Sequence, residues 1–161
     1  MAMEIIASSD ALYHDVEHSV LVTLVGQEML YGKHILEGQV DSRDWVHFII
    51  SLLCHDIGYV RGICPGDEPG KAVIDAVGNA IDLPDDVTDA FLTPYHVRRG
   101  QLFVRYRFRD HEIVDPEVLA ANISNTMFPV PDDDDSDAET KYGALVRAAD
   151  LVGQLADPDY L

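Results

Sequence analysis

Imidazoles and carboxylates stand where apolar helix faces are expected, and this constrains the chain more than any other feature. His14 and His18 are four residues apart, a spacing that puts both on one face of a helix. Leu21 and Val25 continue that stripe. Trp45, Ile49 and Leu52 lead at the same spacing to Asp56, beside His55. Asp150 lies in Leu145-Val-Arg-Ala-Ala-Asp150-Leu-Val-Gly153, a helical run apolar on nearly all sides. Burying an imidazole or carboxylate without a partner is costly. Singly, each has a plain explanation: a core histidine bonded to a neighbour, or Asp56 capping the loop that follows. Together they call for a shared cation.

Period-3.6 patterns dominate and alternating, strand-like runs are scarce, which predicts an all-α, compact single-domain helical bundle of about six or seven helices over residues 1–161. The first helix is expected to follow the cap Ser8-Ser9-Asp10 and run to about Ile35. A second follows Asp41-Ser42 and ends near Gly58. Residues 62–70, rich in Gly and Pro, read as loop. Helices are predicted over 71–82, 84–92, 94–109, 115–126 and 138–156. The acidic run Asp132 to Asp135 reads as an exposed connection, since it lacks the spaced ligands and central Gly of a calcium loop.

The formal charge of −18 disfavours polymeric nucleic acid and anionic membranes as partners. No apolar run reaches the roughly 20 residues of a bilayer span, and Met1-Ala-Met-Glu4 does not read as a secretory signal. A cytoplasmic location is expected. A homodimer and a parent chain continuing past Leu161 are left open. Cys54 and Cys64 are too few for a disulfide framework, and Cys54 reads as a buried small hydrophobe. Basic charge is concentrated: Arg98, Arg99, Arg105, Arg107 and Arg109 fall within twelve positions that no acid interrupts.

Mixed His/Asp ligation suits divalent ions such as Zn, Mn, Fe, Co or Ni, and a protein that leaves coordination positions open lets the ion activate water. The arginine island is then expected to hold a phosphate under attack.

A lone His, then His-Asp inside Leu52-Leu-Cys-His55-Asp56-Ile-Gly58, then a distant Asp on a late helix resembles the HD superfamily of metal-dependent phosphohydrolases. Tyr13-His14 followed by His18 is similar to the opening of the class I cyclic-nucleotide phosphodiesterases. The resemblance implies His18, His55, Asp56 and Asp150 as metal ligands, with one or two ions (Mn, Fe, Zn, Co, Ni or Mg). It implies His14 as proton donor to the leaving oxygen and Asp56 as the group that orients the attacking water. The purine-clamping Gln and Phe of those phosphodiesterases have no counterpart that can be placed here, so a cyclic nucleotide is not implied. The expected substrate is a phosphoester of a small nucleotide or related metabolite.

His96, just inside a helix that Pro94 can start, is expected to touch substrate or a second ion, with Arg99 and Arg107 following it at helical spacing as phosphate contacts. His111 is a weaker candidate of the same kind, and His34 and His47 read as bystanders. Two rival functions remain: an HD-type di-iron oxygenase, which extra ligands at His96 and His111 would favour, and a non-catalytic nucleotide-binding regulatory module.

Overall fold

In the computed structural model, which describes residues 1–129, 140–158 and 160, the chain is built mainly of helices. They are α1 (Ala2–Ile6), α2 (Val16–Glu37), α3 (Ser42–Cys54), α4 (His96–Phe108), α5 (Pro116–Ser124) and α6 (Gly143–Ala156). One small antiparallel hairpin, β1 (Lys71–Val73) and β2 (Ala80–Asp82), pairs Lys71 with Asp82 and Val73 with Ala80. Among the described residues no helix is long and apolar enough to cross a membrane. The acidic run Asp132 to Asp135 lies outside the described residues, as does the expected start of the last helix at 138.

Local chemistry sets the helix ends. Asp15 accepts the His18 amide at 3.0 Å and caps α2, while Gly38, at φ 67°, closes it in the left-handed conformation that suits glycine. Asp41 and Asp44 form a reciprocal capping box at the start of α3. Asp115 caps α5, whose first residue is Pro116.

Two cores meet around α3. Val22, Leu30, Phe48, Leu52, Val146 and Ala149 join α2, α3 and α6. Cys54, Ile57, Phe103, Val104, Leu119 and Ile123 join the end of α3 to α4 and α5. Close approach needs small residues at the contacts. A Cβ on Gly153 would lie 2.7 Å from Val22 Cγ2, so α6 rests directly on α2. A Cβ on Gly58 would lie 1.8 Å from the His96 carbonyl oxygen, so the 3₁₀ turn Ile57–Tyr59 sits against the first turn of α4.

The expected helix over 71–82 is the hairpin instead. Asp75 takes the amides of Val77 and Asn79 at 3.1 and 3.0 Å, and Gly78 turns at φ 86°, which together build a tight reversal that a helix cannot accommodate. The expected helix over 84–92 shrinks to a 3₁₀ turn, Asp89–Leu92, and the first long helix begins at Val16 rather than after Asp10. One network explains both differences. Asp10 accepts the Asp89 amide at 2.6 Å, Ser9 donates to the Asp89 carboxylate at 2.8 Å, and Arg61 pairs with both acids. Ser9 and Asp10 therefore tie two loops together and are not free to cap a helix.

Candidate metal centre

Three parts of the chain deliver the ionisable residues to one place. His14 and His18 come from the bend before α2 and from its first turn. His55 and Asp56 come from the residues that follow α3, and Asp150 from the middle of α6. His55 follows α3 with a helical backbone (φ −59°, ψ −39°), Asp56 departs from it (φ −99°, ψ 2°), and both side chains reach the same centre.

The distances describe a single cluster. His55 Nε2 lies 3.1 Å from Asp56 Oδ2, 3.5 Å from Asp150 Oδ1 and 3.3 Å from His18 Nε2. His18 Nε2 lies 3.4 Å from Asp56 Oδ2 and 3.5 Å from Asp150 Oδ1. Metal–ligand bonds of about 2.1 Å set neighbouring ligand atoms about 3.0 Å apart in an octahedron and about 3.4 Å apart in a tetrahedron. The donor set therefore has the spacing of ligands around one divalent ion. His18, His55 and Asp56 are almost fully buried, and Asp150 keeps 15% of its side-chain exposure.

Second contacts orient the donors. His55 Nδ1 donates to the Leu52 carbonyl at 2.7 Å, which turns the Nε2 lone pair toward the centre. His18 Nδ1 is buried and has no hydrogen-bond partner among the described residues. Burial alone would raise the Asp56 carboxyl, but His55, His14 and His18 outweigh it and hold Asp56 well below the usual carboxylate range. Asp150 is likewise lowered, burial being overcome by hydrogen bonds from His18 and His55. Both carboxylates are thus ionised at neutral pH.

A column of rings flanks the cluster. Tyr59 stacks between His14, at a centroid distance of 4.2 Å, and His96, at 4.4 Å, with interplanar angles of 16° and 17°. His14 Nδ1 meets Asp56 Oδ2 at 2.8 Å, which leaves the other ring nitrogen for a ligand. His96 Nδ1 donates to the Thr93 carbonyl at 2.6 Å, so its Nε2 lone pair faces Asp56 Oδ1 across 3.9 Å. Burial lowers His96 despite the opposing field of Asp56, and the ring is neutral at pH 7. Two electron-rich atoms facing each other at that separation suit a cation or hydrogen-bond donor between them. Nothing in the sequence pattern singles out Tyr59. Its one signal is its position directly after Gly58, whose missing side chain lets the turn reach α4.

The arginines expected beside the phosphate lie elsewhere. Arg99 is fully buried, and its guanidinium is spent on the carbonyls of Gly58, Val60 and Val73 at 2.6–2.8 Å and on both oxygens of Asp67 at 3.0 and 3.1 Å. It braces the turn after Asp56 against the hairpin. Its helical spacing from His96 fixes its position on α4 but does not turn its side chain toward the same ligand. Arg107 is exposed near the end of α4, with Met1 Sδ 2.9 Å from its Nε. His111 accepts the amides of Ile113 and Val114 and so ends a local turn. His47 is buried between the Arg43 carbonyl and the Asp115 amide, a purely structural bridge. Among the described residues no lysine or arginine pairs with Asp56 or Asp150.

Comparison with curated proteins and comparison with solved structures each returned no match. The model of the Npun_R2479-like family matches residues 1–161, and the chain therefore belongs to that family.

Proposed function

We propose that the chain is an HD-type metal-dependent phosphohydrolase acting on a phosphoester of a small nucleotide or related metabolite. The observation that carries this reading is the convergence of His18, His55, Asp56 and Asp150: the two imidazole Nε2 atoms lie 3.3 Å apart and each lies 3.1–3.5 Å from an oxygen of both carboxylates, the spacing of ligands around one ion. A divalent ion held there would lower the pKa of water toward neutrality and polarise a phosphoryl oxygen.

The chain's own residues supply the rest. Asp56 accepts from His14 Nδ1 and so fixes the ring, leaving Nε2 to pass a proton to the leaving oxygen. His96 stands on the far side of Tyr59 with its Nε2 toward Asp56, placed to accept a proton from water or from a substrate hydroxyl. With Arg99 and Arg107 engaged elsewhere, phosphate recognition in this reading falls to the ion and to the two imidazoles.

The test is a turnover screen of phosphomonoesters, cyclic nucleotides and nucleoside triphosphates with Mn, Co, Ni, Zn, Mg and Fe, using Asp56→Ala as control. Metal-dependent release of phosphate or nucleotide, abolished in the control, is expected. Turnover that survives Asp56→Ala unchanged refutes the reading. A di-iron oxygenase is the second reading, favoured by four imidazoles around two carboxylates, neither of which pairs with a lysine or arginine among the described residues. It predicts tightly held iron, a visible absorption band and oxygen uptake in place of hydrolysis.

A further inference from the structure

The arginine island does have a destination, on another side of the molecule. A cavity of about 1030 Å³ opens between α3, α4, α5 and α6 and shares no lining residue with the His/Asp cluster. Two island members, Arg98 and Arg105, line it together with Arg43, Lys141 and Arg147. In a chain of charge −18, five cationic side chains meet three carboxylates there.

Those carboxylates are already committed. Glu117 holds Arg105 through both oxygens at 3.0 Å, Asp44 holds Lys141 at 2.6 Å, and Asp115 caps α5 through the Glu117 amide. Arg43 and Arg98 pair with no carboxylate among the described residues, and Arg147 Nε meets only the Asn125 carbonyl. Guanidinium groups left in this state match phosphate oxygens in charge and in fork geometry.

A second observation is independent of charge. Asn122 lines the same cavity and is 1% exposed, yet its Oδ1 has no hydrogen-bond partner. The amide orientation is fixed by its neighbour. Ser51 Oγ donates its one proton to the His47 carbonyl at 2.8 Å and can only accept from Asn122 Nδ2 at 3.1 Å. A buried acceptor is thus left waiting for a donor, and a cavity of this size is that of a small-molecule site.

We propose that this cavity binds a small phosphorylated metabolite carrying a hydroxyl or amino donor, at a site separate from the His/Asp cluster. Phosphate groups meet Arg43, Arg98 and Arg147, and the donor meets Asn122. The proposal does not depend on the hydrolase reading, and metal-free conditions keep the two apart.

The experiment is calorimetric titration of the full chain in EDTA with ADP and with inorganic tripolyphosphate, adenosine serving as the uncharged control. Binding of either anion is expected, weakened about tenfold or more by Arg43→Gln combined with Arg98→Gln. Both arginines are exposed, and circular dichroism checks that the variant folds. Failure of both anions to bind overturns the proposal. So does binding that ignores the arginine pair, or adenosine binding as tightly as ADP.

Discussion

The Nε2 atoms of His18 and His55 stand 3.3 Å apart with the carboxylates of Asp56 and Asp150 on either side. Two imidazole lone pairs do not meet at that distance unaided, and in the metal-free chain a proton must lie among them. Burial opposes a charged ring at both histidines. Asp56 and Asp150 outweigh it, holding His55 well above, and His18 above, the ordinary imidazole value. Protonation therefore stabilises the metal-free fold fully below about pH 6.5. That stabilisation is lost as pH rises through the raised folded values. A divalent ion needs the same nitrogens deprotonated, so its affinity grows over that interval. The expected outcome is a Tm of the EDTA-treated protein that falls as pH rises above about 6.5, while the gap to the Zn- or Mn-loaded protein widens. A gap that narrows toward alkaline pH would rule out this coupling.

Tyr59 stacks on both flanking rings, His14 and His96. Tyr59→Leu removes the stack with His14 and His96, and a kcat lower by about tenfold to a hundredfold is expected, with metal content unchanged. Tyr59→Phe keeps the stack and should keep the rate. Equal loss in both variants, or loss of metal in the first, would show that the column does something other than orient the imidazoles.

Arg99 is expected to matter for stability and not for binding phosphate. Arg99→Met leaves Asp67 buried without its partner, and a loss of about 3–5 kcal/mol is anticipated from denaturant unfolding. Lysine should not rescue it, because one ammonium cannot serve three carbonyls and two carboxylate oxygens. Burial by itself would raise the Asp67 carboxyl, but hydrogen bonds from Arg99 and the Val73 amide hold it below its ordinary value. Its contribution is present above about pH 4 and is lost as pH falls through the depressed folded value, so the gap between wild type and variant should close in acid. A gap that is constant with pH would argue against the ion pair as its source.

Both thiols are sheltered. Burial pushes Cys54 up to about 12 and Cys64 up to about 11. Iodoacetamide near pH 8 should leave the native protein unlabelled and modify two sites after unfolding. Rapid native labelling at Cys64 would mean that the loop around it opens.

Part of the candidate cluster was legible because His18 and Asp150 each join an apolar helical stripe that turns them inward. His14 reaches the cluster from the bend before α2, so its four-residue spacing from His18 is not a helical one. Asp56 was found for a reason only partly right, since it works from the turn after α3 and not from the helix. What escaped was decided over long range. Whether Arg99 faces solvent or core depends on Asp67 and on three carbonyls from separate segments, none of them visible in the spacing of α4. The hairpin escaped because Ala72, Val73, Ala76 and Ala80 also fit a helical stripe, while the outcome turns on Asp75 capturing nearby amides. Ser9 and Asp10 have the composition of a helix cap but bind Asp89 across the fold.

The donors of the centre are drawn from α2 and α6, elements near opposite ends of the chain, and Gly153 lets those two helices touch. An ion held there would therefore need α6 as well as α2 to have left the ribosome. Fragments lacking α6 should emerge from the cell without metal.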